Sequence, residues 1–177
     1  MILPETLETA RLRLRPARLD DALAVFSGWA SDPQATRYLS WRPYDDVAPA
    51  RAFLAEAIEA RRRGRRCLWS LERVESGEMI GQVDALLEGH RVYLGWVLAR
   101  RHWGRGYMSE AVRSVVEASL AAPEIFRVWA VCDVDNPASA RVMEKAGMDF
   151  EGRLRRFIVH PNLGPEPRDV LCYAKVR

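Results

Sequence analysis

Between a segment that alternates like a strand and one that repeats like a helix, the chain reads Arg101-His102-Trp103-Gly104-Arg105-Gly106-Tyr107-Met108-Ser109-Glu110-Ala111. Upstream, Val92-Tyr93-Leu94-Gly95-Trp96-Val97-Leu98 has the period of two expected of a strand. Downstream, Val112, Val115, Val116 and Leu120 fall on one stripe, which predicts a helix over 106–121. Gly104 and Gly106 let the backbone take positive φ and come close to a ligand. The amides of the loop and of the first helical turn then converge, with the positive end of the helix behind them, as a pyrophosphate requires. Arg101 and Arg105 add full charges. The same two glycines also serve a plain strand-to-helix turn, and the stretch alone leaves both readings open.

Two other phosphate motifs fail. A P-loop needs Lys-Ser/Thr where Tyr107-Met108 follows Gly106. A Rossmann fingerprint needs a third small residue, for which Ser109 is a loose fit. It also needs an acid ending the next strand, and Asp133 comes late for that.

Before the loop, Leu12-Arg13-Leu14-Arg15 reads as a half-exposed strand ended by Pro16, and Asp20-Asp21 as an acidic cap on a helix starting at Ala22. A helix over 50–63 buries Phe53, Leu54, Ala57 and Ile58. The run Arg61-Arg62-Arg63-Gly64-Arg65-Arg66 suits the C-terminus of that helix, with Gly64 as its cap. A polyanion or ribosome contact is the competing reading. Period-two segments follow at 67–71, at 79–83 and onward, and at 92–98, with reversals at 75–78 and 86–90. Beyond the loop come a strand at 126–131, a helix over 137–146 closed by Gly147, an extended stretch at 150–159 and a last strand at 169–174. This order predicts an α/β (α+β) fold, a mixed sheet packed by about four helices.

The 177 residues suit one domain spanning 1–177, and 27 − 24 = +3 is a modest charge. With 49% hydrophobic and 29% charged residues, a disordered or collagen-like chain is excluded. No apolar run is long enough for a membrane span, and Met1-Ile2-Leu3-Pro4-Glu5 lacks the pattern of a leader, so a cytoplasmic protein is expected. Lys145 and Lys175 are the only lysines, a skew that codon usage explains as readily as phosphate binding. Acids are spread through the same segments, so no nucleic-acid or membrane partner is expected. Cys67, Cys132 and Cys172 lie far apart without metal spacing, which reads as buried reduced thiols and no metal site.

A second informative stretch is Asp133-Val134-Asp135-Asn136-Pro137-Ala138-Ser139, followed by Gly147-Met148. Asn136 before Pro137 is a good helix start, and capping alone would explain both Asn136 and Ser139. The two stretches together, after a β-meander, resemble the GNAT superfamily of N-acetyltransferases. Arg101-x-x-Gly104-x-Gly106 matches its acetyl-CoA loop, and Asn136-x-x-Ser139 with Gly147-Met148 matches its second element. Leu12-Arg13-Leu14-Arg15-Pro16 and the late Arg168-Asp169-Val170-Leu171 are most similar to the Rim-type branch, which acetylates ribosomal-protein N-termini.

The resemblance implies a mixed, mostly antiparallel sheet with flanking helices, splayed at an acetyl-CoA cleft. Backbone groups of Val97, Leu98 and Ala99 would pair with the pantetheine arm. Amides from Gly104 through Tyr107 would hold the pyrophosphate, with Arg101, Trp103 and Arg105 around them. Asn136 would bond the pantetheine, and Ser139 would lie near the sulfur. The matching position for the Tyr that protonates the thiolate in many relatives is Met143, which cannot do so, and Ser139 is the substitute candidate. Asp84 is the candidate base, with a solvated strand residue as its plainer reading. Glu110 reads as a structural acid at the helix start. The expected partners are acetyl-CoA and an amine acceptor, with a protein N-terminal α-amine favoured over a small-molecule amine. The chain is expected to be a monomer or homodimer. A non-catalytic acyl-CoA-binding regulator is the reading from another class. Acceptor choice is expected from residues 18–44, the segment after Gly89 and the loop at 160–167.

Overall fold

A computed structural model describes residues 3–177; Met1 and Ile2, which begin the stretch read as lacking a leader, lie outside the described residues. Eight strands form one sheet: β1 (Leu7–Glu8), β2 (Leu12–Pro16), β3 (Arg66–Arg73), β4 (Met79–Glu88), β5 (Arg91–Leu98), β6 (Arg127–Asp133), β7 (Asp149–Val159) and β8 (Pro167–Val176). Their order is β1-β2-β3-β4-β5-β6-β8-β7, and every neighbouring pair is antiparallel except β5 and β6. Four α-helices flank it: α1 (Ala22–Val25), α2 (Ala48–Arg62), α3 (Tyr107–Ala121) and α4 (Pro137–Lys145). A π-turn, Phe26–Ala30, extends α1. Among the described residues no helix is long and apolar enough to cross a membrane.

The strand alternation sorts side chains onto two cores. On one face, Val92 and Leu94 of β5 meet Val128 and Ala130 of β6 under Val112, Val115 and Val116 of α3. On the other, Leu68 and Val97 lie beneath Trp29 of the π-turn and Leu54 of α2. Trp29 and Leu54 are fully buried, so Leu54→Ala should cost about 2–5 kcal/mol.

Several local expectations change in the folded chain. Asp21 does more than cap: its carboxylate accepts from the Arg18 N–H at 2.8 Å in a capping box at the helix entrance, and it also holds a buried ion pair. It is buried, and its carboxylate takes two bonds from the Arg15 guanidinium at 2.7 and 2.8 Å and one from Ser70 at 2.8 Å. Burial opposes its ionisation, but these bonds hold it below the usual carboxylate range. The predicted arginine-rich end of α2 is confirmed: Gly64 takes φ +68, Arg61 lies over the Trp69 ring, and Arg63 pairs with Glu59 at 2.9 Å. All three cysteines are free and buried, and no metal-binding cluster exists among the described residues.

Candidate active site

The two parallel strands make the opening. β5 and β6 pair only from Arg91–Tyr93 to Arg127–Trp129. Beyond that rung β5 stays with β4 as far as Leu98, and β6 stays with β8 as far as Asp133. The upper halves therefore part while each keeps its outer neighbour, which is the splay expected for the cleft.

Strand geometry decides which backbone groups face the gap. The Ala99 N–H donates to Ile80 O at 2.8 Å, on the β4 side. The Val97 carbonyl also faces β4, where a Cβ on Gly81 would stand 2.5 Å from it. Because backbone polar groups alternate between neighbours, those of Leu98 face the gap. The Leu98 carbonyl is taken by the Trp103 indole N–H at 2.8 Å. Of the three residues assigned to the pantetheine arm, only Leu98 presents its polar groups to the cleft. Val97 and Ala99 present theirs to β4, a correction that follows from strand alternation.

At the head of the gap, Gly104 and Gly106 take φ +73 and +79, and a Cβ on Gly104 would meet nothing within 4 Å. Gly106 caps α3, so the helix begins at Tyr107. The N–H groups from Gly104 to Ser109 have no acceptor among the described residues. The next one, on Glu110, donates to Gly106 O at 3.1 Å. Six successive donors at a helix N-terminus suit an anion.

The loop is pinned from the side by Arg11, a residue that the sequence reading passed over. Its guanidinium donates to Glu110 at 2.7 Å and to the Arg105 carbonyl at 3.0 Å, and stands 4.6 Å from the Tyr107 ring centre. Glu110 also accepts from the Thr9 hydroxyl at 2.6 Å. Burial opposes its ionisation, but Thr9 and Arg11 hold its carboxyl below the usual range. The structural reading of Glu110 therefore stands. Arg101 is engaged by Glu78 at 2.9 Å, which leaves Arg105 as the loop cation without an acidic partner among the described residues. Trp103 is half exposed beside it.

Asn136 caps α4, accepting from the Ser139 N–H at 3.2 Å. Both side chains are partly exposed at the end of β6. Met143 is fully buried in the core. Cys132 is buried too, and burial with Asp133 and Glu144 nearby pushes its thiol up to about 12, so it is not a thiolate near neutrality.

Asp84 lies on the sheet face that α2 covers, opposite Gly95. Arg66 grips it with two bonds at 2.7 and 2.8 Å, so it is not a freely solvated strand residue. Burial pushes its pKa up, and Arg66 offsets only part of the rise. A Cβ on Gly95 would meet nothing within 4 Å, so the space beside Asp84 at the edge of the gap is open. Tyr93 and Trp129 occupy the last paired rung, their rings 4.8 Å apart.

Two of the three segments expected to choose the acceptor come together. The Asn162 amide donates to the carbonyls of Thr36 and Trp41 at 2.7 and 2.8 Å, tying the β7–β8 loop to the α1–α2 segment. Beneath them Arg168 binds Asp133 at 2.6 and 3.0 Å and Asp135 at 2.6 Å, and buried His160 stands 3.5 Å from Asp133. The segment after Gly89 lies at the other end of the sheet, where His90 O accepts from the Phe126 N–H. No periodicity announces these contacts, because each joins residues distant in sequence.

Residues 11–149 match the model of the acetyltransferase (GNAT) domain. A Bacillus subtilis (strain 168) protein described as the uncharacterized N-acetyltransferase YoaA is 33% identical over 176 residues, covering 97% of both chains. A crystal structure of a GNAT-family acetyltransferase from Bacillus anthracis superposes with a TM-score of 0.85 at 25% identity, over 97% of this chain and 98% of that one. The structure of RimL, a ribosomal L7/L12 alpha-N-protein acetyltransferase in complex with coenzyme A, gives 0.85 at 22% identity, over 98% and 97%.

Proposed function

The chain belongs to the GNAT acetyltransferase family, with acetyl-CoA as donor, and from that premise we propose that it acetylates the α-amine at a protein or peptide N-terminus. The observation that carries the site is the run of six unpartnered N–H groups, Gly104 to Ser109, at the head of two parted strands. These amides and Arg105 would hold the pyrophosphate, with Arg101 shared between it and Glu78. Trp103 would close the side of the loop, and the Asn136 side-chain amide would face the pantetheine. Acetyl-CoA supplies an activated acyl carbon and a thiolate leaving group.

The chain's own groups must manage two protons and one growing charge. The Leu98 N–H would stabilise negative charge on the carbonyl oxygen. Only a neutral amine attacks, and an α-amine with a pKa of about 8 is far easier to deprotonate than a lysine side chain at about 10.4. Asp84, held by Arg66 beside the space over Gly95, would accept the proton, directly or through water. The Ser139 hydroxyl would donate to the departing thiolate, since buried Met143 has no proton to give.

The α-amine reading draws on the fold shared with RimL, and small-molecule amines are the competing acceptors. Coenzyme A release measured with N-terminal peptides alongside aminoglycosides, polyamines and amino acids tests it. Faster release with small amines than with any peptide would overturn the acceptor, and tight coenzyme A binding with no turnover on any amine would favour a non-catalytic binder.

A further inference from the structure

The sheet face beneath α1 and α2 is only half covered. Its core takes residues from β3, β4 and β5, and among the described residues none from β6, β7 or β8. On the uncovered half lies a cavity of about 340 Å³, lined by Trp129, Leu154, Phe157 and Cys172 with Arg91 and Arg127 beside them. That volume is within the range of small-ligand sites and has room for a large side chain.

Its position ties it to the reaction. Trp129 is the partner of Tyr93 on the last rung before the strands part, and the Tyr93 ring stands between it and the Asp84 side of the face. The register sets Asp84 against Gly95, Tyr93 against Trp129 and Cys172 against Val131, so carboxylate, aromatic pair and cavity wall lie on one face of the sheet. Gly95 lies two residues along β5 from the Tyr93–Trp129 rung and on the same face, so the space over it is about 7 Å along the strand from that rung.

The charges beside the cavity are already matched. Arg127 donates to Glu151 at 2.7 Å, and Arg91 donates to Glu88 at 2.9 Å while standing 5.9 Å from the Trp129 ring centre. An entering ammonium would find no unpaired carboxylate, and shedding its water there would be unfavourable. An apolar group would instead cover Trp129, Leu154 and Phe157, and Phe157 is 49% exposed without one.

We propose that this cavity receives the side chain of the acceptor's first residue and selects an aromatic or large aliphatic one over a small or cationic one. The proposal rests on the α-amine reading above. The test is kcat/KM for acetylation of X-Ala-Ala tripeptides with X as Phe, Leu, Ser or Lys, and of spermidine, by the wild type and by Phe157→Ala. Phe and Leu should exceed Ser and Lys by at least about tenfold, the discrimination an apolar pocket supplies. Phe157→Ala should raise KM for the Phe peptide with kcat unchanged and bring the Phe-to-Ser ratio down several-fold. Equal rates for all four peptides, a preference for Lys or spermidine, or an unchanged ratio in Phe157→Ala would overturn this subsite. Equal peptide rates would leave the α-amine reading standing, whereas no transfer to any acceptor while coenzyme A still binds would remove both. The wild-type panel decides the question even if Phe157→Ala misfolds.

Discussion

The two halves of the candidate site are made of different material. At Gly104–Ser109 the working groups are main-chain N–H donors, aimed by two glycines at positive φ and by the start of α3. Around Asp84, Tyr93 and Trp129 they are side chains from three strands, aligned only because the register sets Asp84 against Gly95 and Tyr93 against Trp129. A main-chain site tolerates change in most side chains but not in its glycines. A side-chain site can be retuned one residue at a time. The donor end of such an enzyme can thus stay constant while the acceptor end diverges.

Four measurements test this contrast. The largest effect belongs to the side-chain half: Asp84→Asn keeps the shape and a partner for Arg66 but removes the proposed base, so kcat should fall by about 10²-fold or more with coenzyme A affinity unchanged. In the wild type Asp84 must be ionised to act. Its raised pKa therefore makes the rate fall, as pH drops, at a pH above the usual carboxylate range. The variant should lose that limb and keep only the one at about pH 8 set by the acceptor α-amine. An unaltered pH–rate profile in Asp84→Asn would assign the base elsewhere.

Next in size is the main-chain half. Gly106→Val forces a branched residue into φ +79, a strain of about 1–3 kcal/mol, so coenzyme A should bind about 5–150-fold more weakly by calorimetry. Equal affinity would mean that the loop amides do not hold the diphosphate. A smaller change is expected for Arg11→Ala, which removes the brace on Arg105 and Glu110 without touching a donor. KM for acetyl-CoA should rise a few-fold while kcat holds. The smallest concerns stability. The depressed pKa of Glu110 contributes stability that is complete above the ordinary Glu range and is lost as pH falls through its folded value. Between about pH 7 and about pH 3, the Tm of Glu110→Gln should therefore drop less than that of the wild type, as scanning calorimetry would record.

The same contrast explains how much could be read in advance. Helices α2, α3 and α4 appear within two residues of their expected bounds, because each buries a stripe that repeats along the chain. The glycine loop and the Asn136 cap were legible for the same reason: their geometry is local. The two-residue strand β1 and the π-turn at Phe26–Ala30 carry no such period and were not foreseen. Asp21 reads as a cap in one dimension, and in three it keeps a capping bond from the Arg18 N–H while also becoming the buried partner of Arg15. Arg11, which no pattern in the sequence singles out, becomes the brace of the anion loop through Glu110, ninety-nine positions away.

Sequence alone therefore settled what repeats or turns within a few residues: the helices, most of the strands, the phosphate-type loop and the family resemblance those motifs carry. Tertiary structure decided the rest, including the single parallel pair that opens the gap, the turning of Val97 and Ala99 toward β4, and the placing of Asp84, Tyr93 and Trp129 on one face of the sheet. The physical reason is that a hydrogen-bonded turn or an amphipathic stripe is specified by its own neighbours. Strand order and register instead come from burying two faces of a sheet at once, which no short window of the chain contains.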